Sequence, residues 1–312
     1  MVKKKFNKIY IKIINLIHKY FFFQEKKKIN QFLKKIFKNK VSILDVGAGQ
    51  RYLKSILNFD GICKVGLIDP SENLEITKKN LLNKMQDATS LHFFKFALSN
   101  KNGYQKYFPA YKSTGSSLIN FKKFKSKINY DENYFGDIKS KMIKVLDYKK
   151  FKLNYNWPKL DILKIDVEGY EKKIIKSIMN VDKPLIIQIE LNFTSALYDE
   201  SFNFINNFLN KKNYQILSLI PSYNTFAKFN ETCDKPFIYG NYENPILRNQ
   251  ISQCDCFYLN TKLKFSIKNI VILIGYGFFT EAYKYYLCNK NKINSQYIKN
   301  NLEVFFKNYI KI

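Results

Sequence analysis

Arginine is nearly absent from this 312-residue chain: of 53 basic residues only Arg51 and Arg248 are arginine, and the rest are lysine. Phosphate and base-edge recognition favour the planar arginine fork. The net charge of +28 therefore does not by itself mark a nucleic-acid binder. The chain also carries 35 asparagines and many Ile, Phe and Tyr residues, as expected of an A/T-rich coding bias. Attraction to an anionic partner, whether nucleic acid or an acidic membrane face, is the competing reading of the same charge. Glycine and proline are also scarce, at 11 and 7 residues, which excludes a collagen-like fibre and any long low-complexity linker. No run of eighteen apolar residues is free of charge, so no membrane-spanning helix is expected. Cysteines number five, and an odd count without a secretory signal points to reduced thiols in a cytosol. Cys254 and Cys256 are too close for a zinc ribbon and have no histidine nearby, so they read as strand residues. What the chain has in quantity is core material, 46% hydrophobic and 17% aromatic, enough for one large domain.

Three regions separate along the chain. Residues 1–40 hold 13 Lys against the single acid Glu25, with Phe6, Ile9, Tyr10, Ile13, Ile14 and Ile17 at helical spacing. This predicts one or two basic amphipathic helices, either docked on the adjoining domain or lying on an anionic membrane face. Lys12, His18 and Lys19 interrupt the apolar run, so it is not a signal peptide. Over residues 41–260 short apolar runs alternate with helical periods, the pattern of a parallel α/β sheet. Strands are expected at Val41–Val46, Lys64–Ile68, Leu91–Leu98, Asp161–Ile165, Leu185–Leu191, Tyr214–Ile220 and Cys256–Leu259, with a hairpin near Gln105–Phe108. Helices are expected at Tyr52–Leu57, Glu72–Leu82, Tyr170–Met179 and Phe202–Lys211. Residues 261–312 form a helical tail; Gly275 and Gly277 lack a following βαβ unit, so a helix packed on the sheet is the better reading than a second dinucleotide loop.

Three constellations carry chemistry. The first is Asp45-Val46-Gly47-Ala48-Gly49, where a strand ends in a glycine turn that exposes backbone N–H groups at the carboxyl edge of the sheet. An acid precedes the first glycine, and Tyr52 replaces the third glycine that pyrophosphate binding requires. A cofactor without pyrophosphate is favoured, and S-adenosylmethionine fits. The second is Asp69-Pro70 at the end of the next strand, 24 residues after Asp45. Such an acid accepts from ribose hydroxyls, or else caps the following helix. The third is Leu163-Lys164-Ile165-Asp166-Val167-Glu168-Gly169-Tyr170-Glu171, with two carboxylates and a lysine at the same sheet edge. Such groups are costly there unless used or paired, although Glu168 and Glu171 also suit a helix N-terminus.

These motifs, with Ala97-Leu98-Ser99-Asn100, Thr114-Gly115-Ser116-Ser117-Leu118 and Val145-Leu146-Asp147, resemble the FkbM family of class I S-adenosylmethionine-dependent methyltransferases over residues 41–220. The resemblance implies a Rossmann-like, seven-stranded, mostly parallel sheet with helices on both faces. It also implies O-methylation, often of sugars or polyketide-like natural products, in polysaccharide or related biosynthesis. Carried over, Asp45, Gly47, Ala48 and Gly49 would hold the methionine end of the cofactor. Asp69 and Pro70 would lie at the ribose, Ala97 and Leu98 near the adenine, and Asp166 beside the transferred methyl. The turn departs from the family pattern at Gln50-Arg51; Arg51 is a candidate partner for the cofactor carboxylate. The family's second-strand acid is usually Glu, and here it is Asp69.

A hydroxyl acceptor needs a base, and Asp166 or Glu168 is expected in that role, with Lys164 tuning the pair. The leading expectation involves no metal; a Mg²⁺ variant would draw on Asp166, Glu190 and Asn192 at adjacent strand ends. Ser116 and Ser117 belong either to a loop over the acceptor pocket or to a solvated turn. Three functions are thus in play. The leading one is a cytoplasmic O-methyltransferase for a small molecule or glycan, with peripheral membrane contact through residues 1–40 as an open alternative to their docking on the domain. The others are an RNA methyltransferase and a non-catalytic binding protein on the same fold.

Overall fold

In the computed structural model the residues described are 24–49, 53–86, 90–110, 116–120, 139–192, 201–222 and 253–310. A helix over residues 24–36 (α1) leads into β1 (Val41–Val46), a short 3-10 helix (Lys54–Phe59) and β2 (Cys63–Ile68). Then come α2 (Asn73–Leu82), β3 (Leu91–Phe94), β4 (Ala97–Ser99), β5 (Gly103–Tyr107), β6 (Lys141–Asp147) and α3 (Tyr148–Asn154). The chain continues through β7 (Ile162–Ile165), α4 (Glu171–Met179), β8 (Ile186–Asn192), α5 (Phe202–Asn210), β9 (Tyr214–Ser222) and β10 (Gln253–Asn260). It closes with α6 (Ile267–Tyr276), α7 (Phe279–Asn289) and α8 (Gln296–Ile310).

The main sheet has seven strands in the order β3-β2-β1-β7-β8-β10-β9, and β10 alone runs antiparallel to its neighbours β8 and β9. Strand order therefore reverses beside β1, between β2 and β7, and ligands of open α/β sheets bind at such a switch point, outside the carboxyl ends of the strands. The central strands are mostly apolar and almost wholly buried because both sheet faces are covered. On β1, Val41 and Ile43 pack into one core with α1, α2, α6, α7 and α8, while Leu44 and Val46 pack into a second with α3, α4 and α5. That division is the two-residue period of a strand. The fold is the expected Rossmann-like class.

Two elements differ in detail from expectation. The predicted third strand Leu91–Leu98 is two: β3 pairs with β2, and β4 leaves the sheet to pair in parallel with β6. β4, β6 and β5 form a separate three-stranded sheet, of which the sequence pattern reveals only the hairpin strand near Gln105. The helix expected at Tyr52–Leu57 is the 3-10 segment Lys54–Phe59; Tyr52 lies outside the described residues.

At the chain's ends, α1 and α8 pack together. The Phe32 and Phe305 rings stack at 4.3 Å, and Tyr309 donates from its hydroxyl to Glu25 Oε2 at 2.9 Å. Gly277 ends α6 with φ +88°, and a side chain on Gly275 would strike the Phe59 ring, so these two glycines serve a helix end and a close packing contact. Residues 1–23, including His18, lie outside the described residues. No helix among the described residues is long and apolar enough to cross a membrane.

Candidate active site

Two turns meet backbone to backbone at the switch point. Gly47 has φ +84°, and a Cβ there would sit 1.7 Å from the Asp166 carbonyl oxygen. Only glycine admits both the conformation and the contact. The Asp166 N–H donates to Val46 O at 2.9 Å, tying the end of β7 to the end of β1. After β7 the chain turns through Glu168 (φ +53°) and Gly169 (φ +91°) before entering α4. Left-handed backbone at a non-glycine such as Glu168 is strained and collects at functional sites.

Asp45 and Lys164 stand opposite each other in the parallel β1–β7 register. Lys164 Nζ lies 3.2 Å from Asp45 Oδ1 and 3.3 Å from Asp166 Oδ2. The Leu53 N–H donates to Asp45 Oδ2 at 2.7 Å. Burial opposes the charge on Lys164, but Asp45 and Asp166 overcome it and hold the ammonium well above its ordinary range. Asp45 is wholly buried and Lys164 nearly so. Neither of them lines the cavity at this sheet edge, and nor does Ala48. Asp45 and Ala48, expected at the cofactor, are thus buried beside the turn and not in the cavity wall. Asp45 stands one residue before the last of β1, on the face where it meets Lys164, and is wholly buried there. Lys164 acts on the cavity through Asp166.

The cavity opens at the carboxyl edge of β1, β2, β7 and β8, with about 840 Å³ of empty space counting its mouth. Of the expected site residues, Gly47, Gly49, Asp69, Pro70, Ala97, Leu98, Asp166 and Glu168 line it, and Arg51 lies outside the described residues. Asp69 Oδ2 accepts from the Gly49 N–H at 2.9 Å, and Oδ1 accepts from the Ser71 N–H at 2.7 Å and from its hydroxyl. The residue before α2 is Glu72, without a side-chain cap, so Asp69 braces the glycine turn instead of capping that helix. Burial pushes its carboxyl up against the pull of those donors.

The wall opposite comes from the insertion after β4. Ser117 pairs with Phe108 through N–H···O bonds of 2.8 and 3.1 Å, and its hydroxyl donates to Glu168 O at 2.6 Å. Ser116 Oγ accepts from the Ala110 N–H at 2.9 Å. Both serines line the cavity and Ser117 is buried, so they are wall and not solvated turn. Tyr107, Leu118 and Tyr170 also line it. None of the three is named as a site residue from sequence; Tyr170 sits inside the Lys164–Glu171 run and Leu118 ends the Thr114–Leu118 motif, while Tyr107 carries no signal of its own.

At the far end, one carboxylate oxygen from each of Asp166, Glu168 and Glu190 lies within 4.8 Å of the other two. Glu190 sits near the end of β8 beside β7; in the sequence it stands out only as a possible oxygen ligand. Burial raises its carboxyl well above the usual range, and the neighbouring charges of Asp166, Glu168, Asp255 and Glu171 raise it further. Burial also pushes Glu171 up to about 7. His92, expected to start the third strand, packs edge-on to Trp157 at 5.5 Å and does not line the cavity. Cys254 and Cys256 are free and buried in β10, as read from the sequence.

The model of the FkbM methyltransferase domain matches residues 45–216. No curated protein matches the sequence significantly. Among solved structures, the chain is similar to a precorrin-6y C5,15-methyltransferase from Geobacter metallireducens at 12% identity, covering 74% of this chain and 84% of that one, with a TM-score of 0.34. It is similar to TrmK of M. capricolum in complex with S-adenosyl-homocysteine at 13% identity, covering 90% and 96%, with a TM-score of 0.32. A putative tRNA (m1A22) methyltransferase of Streptococcus pneumoniae matches at 9% identity, covering 88% and 98%, again with a TM-score of 0.32.

Proposed function

This chain belongs to the FkbM methyltransferase family, and we propose that it O-methylates a hydroxyl on a sugar, glycan or other small natural product. Its methyl donor is S-adenosylmethionine, which supplies a carbon already activated on a sulfonium. The cavity suits that donor: a glycine turn without side chains at one end, and Asp69, whose Oδ2 keeps an acceptor position for a ribose hydroxyl. Pro70, Ala97 and Leu98 offer an apolar wall for a flat base.

The observation that carries the choice of a hydroxyl acceptor is the carboxylate group of Asp166, Glu168 and Glu190. A hydroxyl is a poor nucleophile until its proton is taken, so this chemistry needs a base within reach. Glu168 is our choice for that base, with Glu190 sharing the proton. Asp166 is held at the methyl end by Lys164, which Asp45 in turn fixes. Ser117, bonded to the Glu168 carbonyl, fastens the cavity wall to the turn that presents the base. Three acids at this end also favour a neutral polyhydroxyl acceptor over a polyphosphate chain. The reading includes a cytoplasmic setting, supported by the free thiols Cys63, Cys254, Cys256 and Cys288.

The test is transfer of labelled methyl from S-adenosylmethionine to panels of sugars, lipid-linked glycans and RNA. Label stable to mild base on a sugar hydroxyl, lost in Glu168→Gln with cofactor binding retained, is expected. Label entering RNA alone, with a steep salt dependence, would transfer the assignment to a nucleic-acid enzyme.

A further inference from the structure

We propose that Asp166, Glu168, Glu190 and Asn192 form a binding site for one divalent cation of the Mg²⁺ or Mn²⁺ kind at the acceptor end of the cavity. The spacing fits. Oxygens around one such cation lie about 2.0–2.6 Å from it, so any two are at most roughly 4–5 Å apart. One oxygen from each of the three carboxylates already falls within 4.8 Å of the others. The donors are all oxygen, which selects hard cations over zinc or copper.

An acidic group alone would not carry this. The second observation is Asn192, which is 5% exposed and whose Oδ1 has no hydrogen-bond partner among the described residues. Ile189 and Leu191 face the second core, so strand alternation turns Glu190 and Asn192 to the opposite side, at the carboxyl edge. Glu190 lines the cavity from there, and Asn192 follows it two residues on. A buried amide oxygen left without a partner is unfavourable. A neutral oxygen on the same strand face as the acids is what a cation would satisfy. Glu171 repeats the pattern behind the turn: it is 2% exposed, its Oε2 has no partner, and its charge acts on Glu190. Asp255 stands opposite Glu190 in the β8–β10 register, and like charges so placed repel. Lys164, the ammonium that meets Asp166, is shared with Asp45.

Cation binding stands on these residues alone. Its use in catalysis rests on the O-methylation reading: a cation here would draw the acceptor oxygen and ease loss of its proton.

The experiment keeps the two apart by omitting the acceptor. The full-length protein, stripped with EDTA, is titrated with Mn²⁺ by electron paramagnetic resonance and calorimetry, with and without S-adenosylhomocysteine. One saturable Mn²⁺ per chain, displaced by Mg²⁺, is expected. Glu190→Gln and Asn192→Ala should each weaken it about tenfold or more, with S-adenosylhomocysteine affinity within about twofold of the parent as the control for folding. Mg²⁺ should also raise the melting temperature of the parent and not of Glu190→Gln. No saturable Mn²⁺ in either state, or the same affinity in Glu190→Gln, would overturn the site. Methyl transfer that proceeds in EDTA while Mn²⁺ still binds would leave the site standing and remove it from the reaction.

Discussion

The two ends of the cavity treat their carboxylates in opposite ways. At the β1–β2 end, Asp45 and Asp69 are spent on structure: one holds a buried lysine and a backbone N–H, the other accepts three hydrogen bonds from the glycine turn and Ser71. At the β7–β8 end, burial and the neighbouring charges of Asp166, Glu168, Asp255 and Glu171 all disfavour a charge on Glu190. The first arrangement sets a shape before any ligand arrives. The second stores charge where a proton or cation is to be handled, and buried groups are kept that way only at some expense in stability. Lys164 joins the two ends, because its ammonium touches Asp45 on one side and Asp166 on the other.

The largest effect expected from breaking this contrast is at that joint. Lys164→Met leaves Asp45 buried and unpaired and should destabilise by about 3–5 kcal/mol in urea unfolding. Adding Asp45→Asn in the same chain should restore much of the loss, which a role for Lys164 in catalysis alone would not produce. Next is Asp69→Ala, which should weaken S-adenosylmethionine binding by roughly 10- to 100-fold in calorimetry, the value of a hydrogen-bonded charge. Gly47→Ala forces a side chain into the Asp166 carbonyl and should lower stability by at least about 1–3 kcal/mol, read from thermal melting. At the other end the sign reverses. Glu190→Gln in EDTA removes a carboxyl that burial and like charges hold toward its neutral form, so it should raise stability by about 0.2–1 kcal/mol where the pH is high enough to ionise Glu190, while lowering methyl transfer. The smallest effect is Ser117→Ala, which should raise the KM for acceptor severalfold with cofactor affinity unchanged.

Sequence makes the first end legible and the second only partly. Val41–Val46 and Lys64–Ile68 are short, mainly apolar runs leading into Asp-x-Gly-Ala-Gly and Asp-Pro, so strands, turns and candidate acids appear together. Even so, the sequence does not tell that Asp45 stands opposite Lys164 and is wholly buried there. β3 and β4 read as one strand because Lys95 and Phe96 do not break the apolar run between Leu91 and Leu98. β6 shows little strand pattern because Lys141 and Lys144 bracket Met142 and Ile143 in an outer half that is mostly exposed. Its last three residues nonetheless pair with Ala97, Leu98 and Ser99, so two motifs behind the family resemblance are hydrogen-bonded neighbours. The meeting of Glu190 with Glu168 depends on β7 and β8 being adjacent, a long-range fact that neither local run contains.

Every role assigned at this sheet edge depends on the cavity beneath Asp69 and the glycine turn holding S-adenosylmethionine. Calorimetric titration of the full-length protein with S-adenosylmethionine, its demethylated product and NADH decides that point. One-to-one binding of the first two in the micromolar range is expected, lost or greatly weakened in Asp69→Ala, with no heat from NADH. Binding of NADH, or S-adenosylmethionine affinity unchanged in Asp69→Ala, would contradict it.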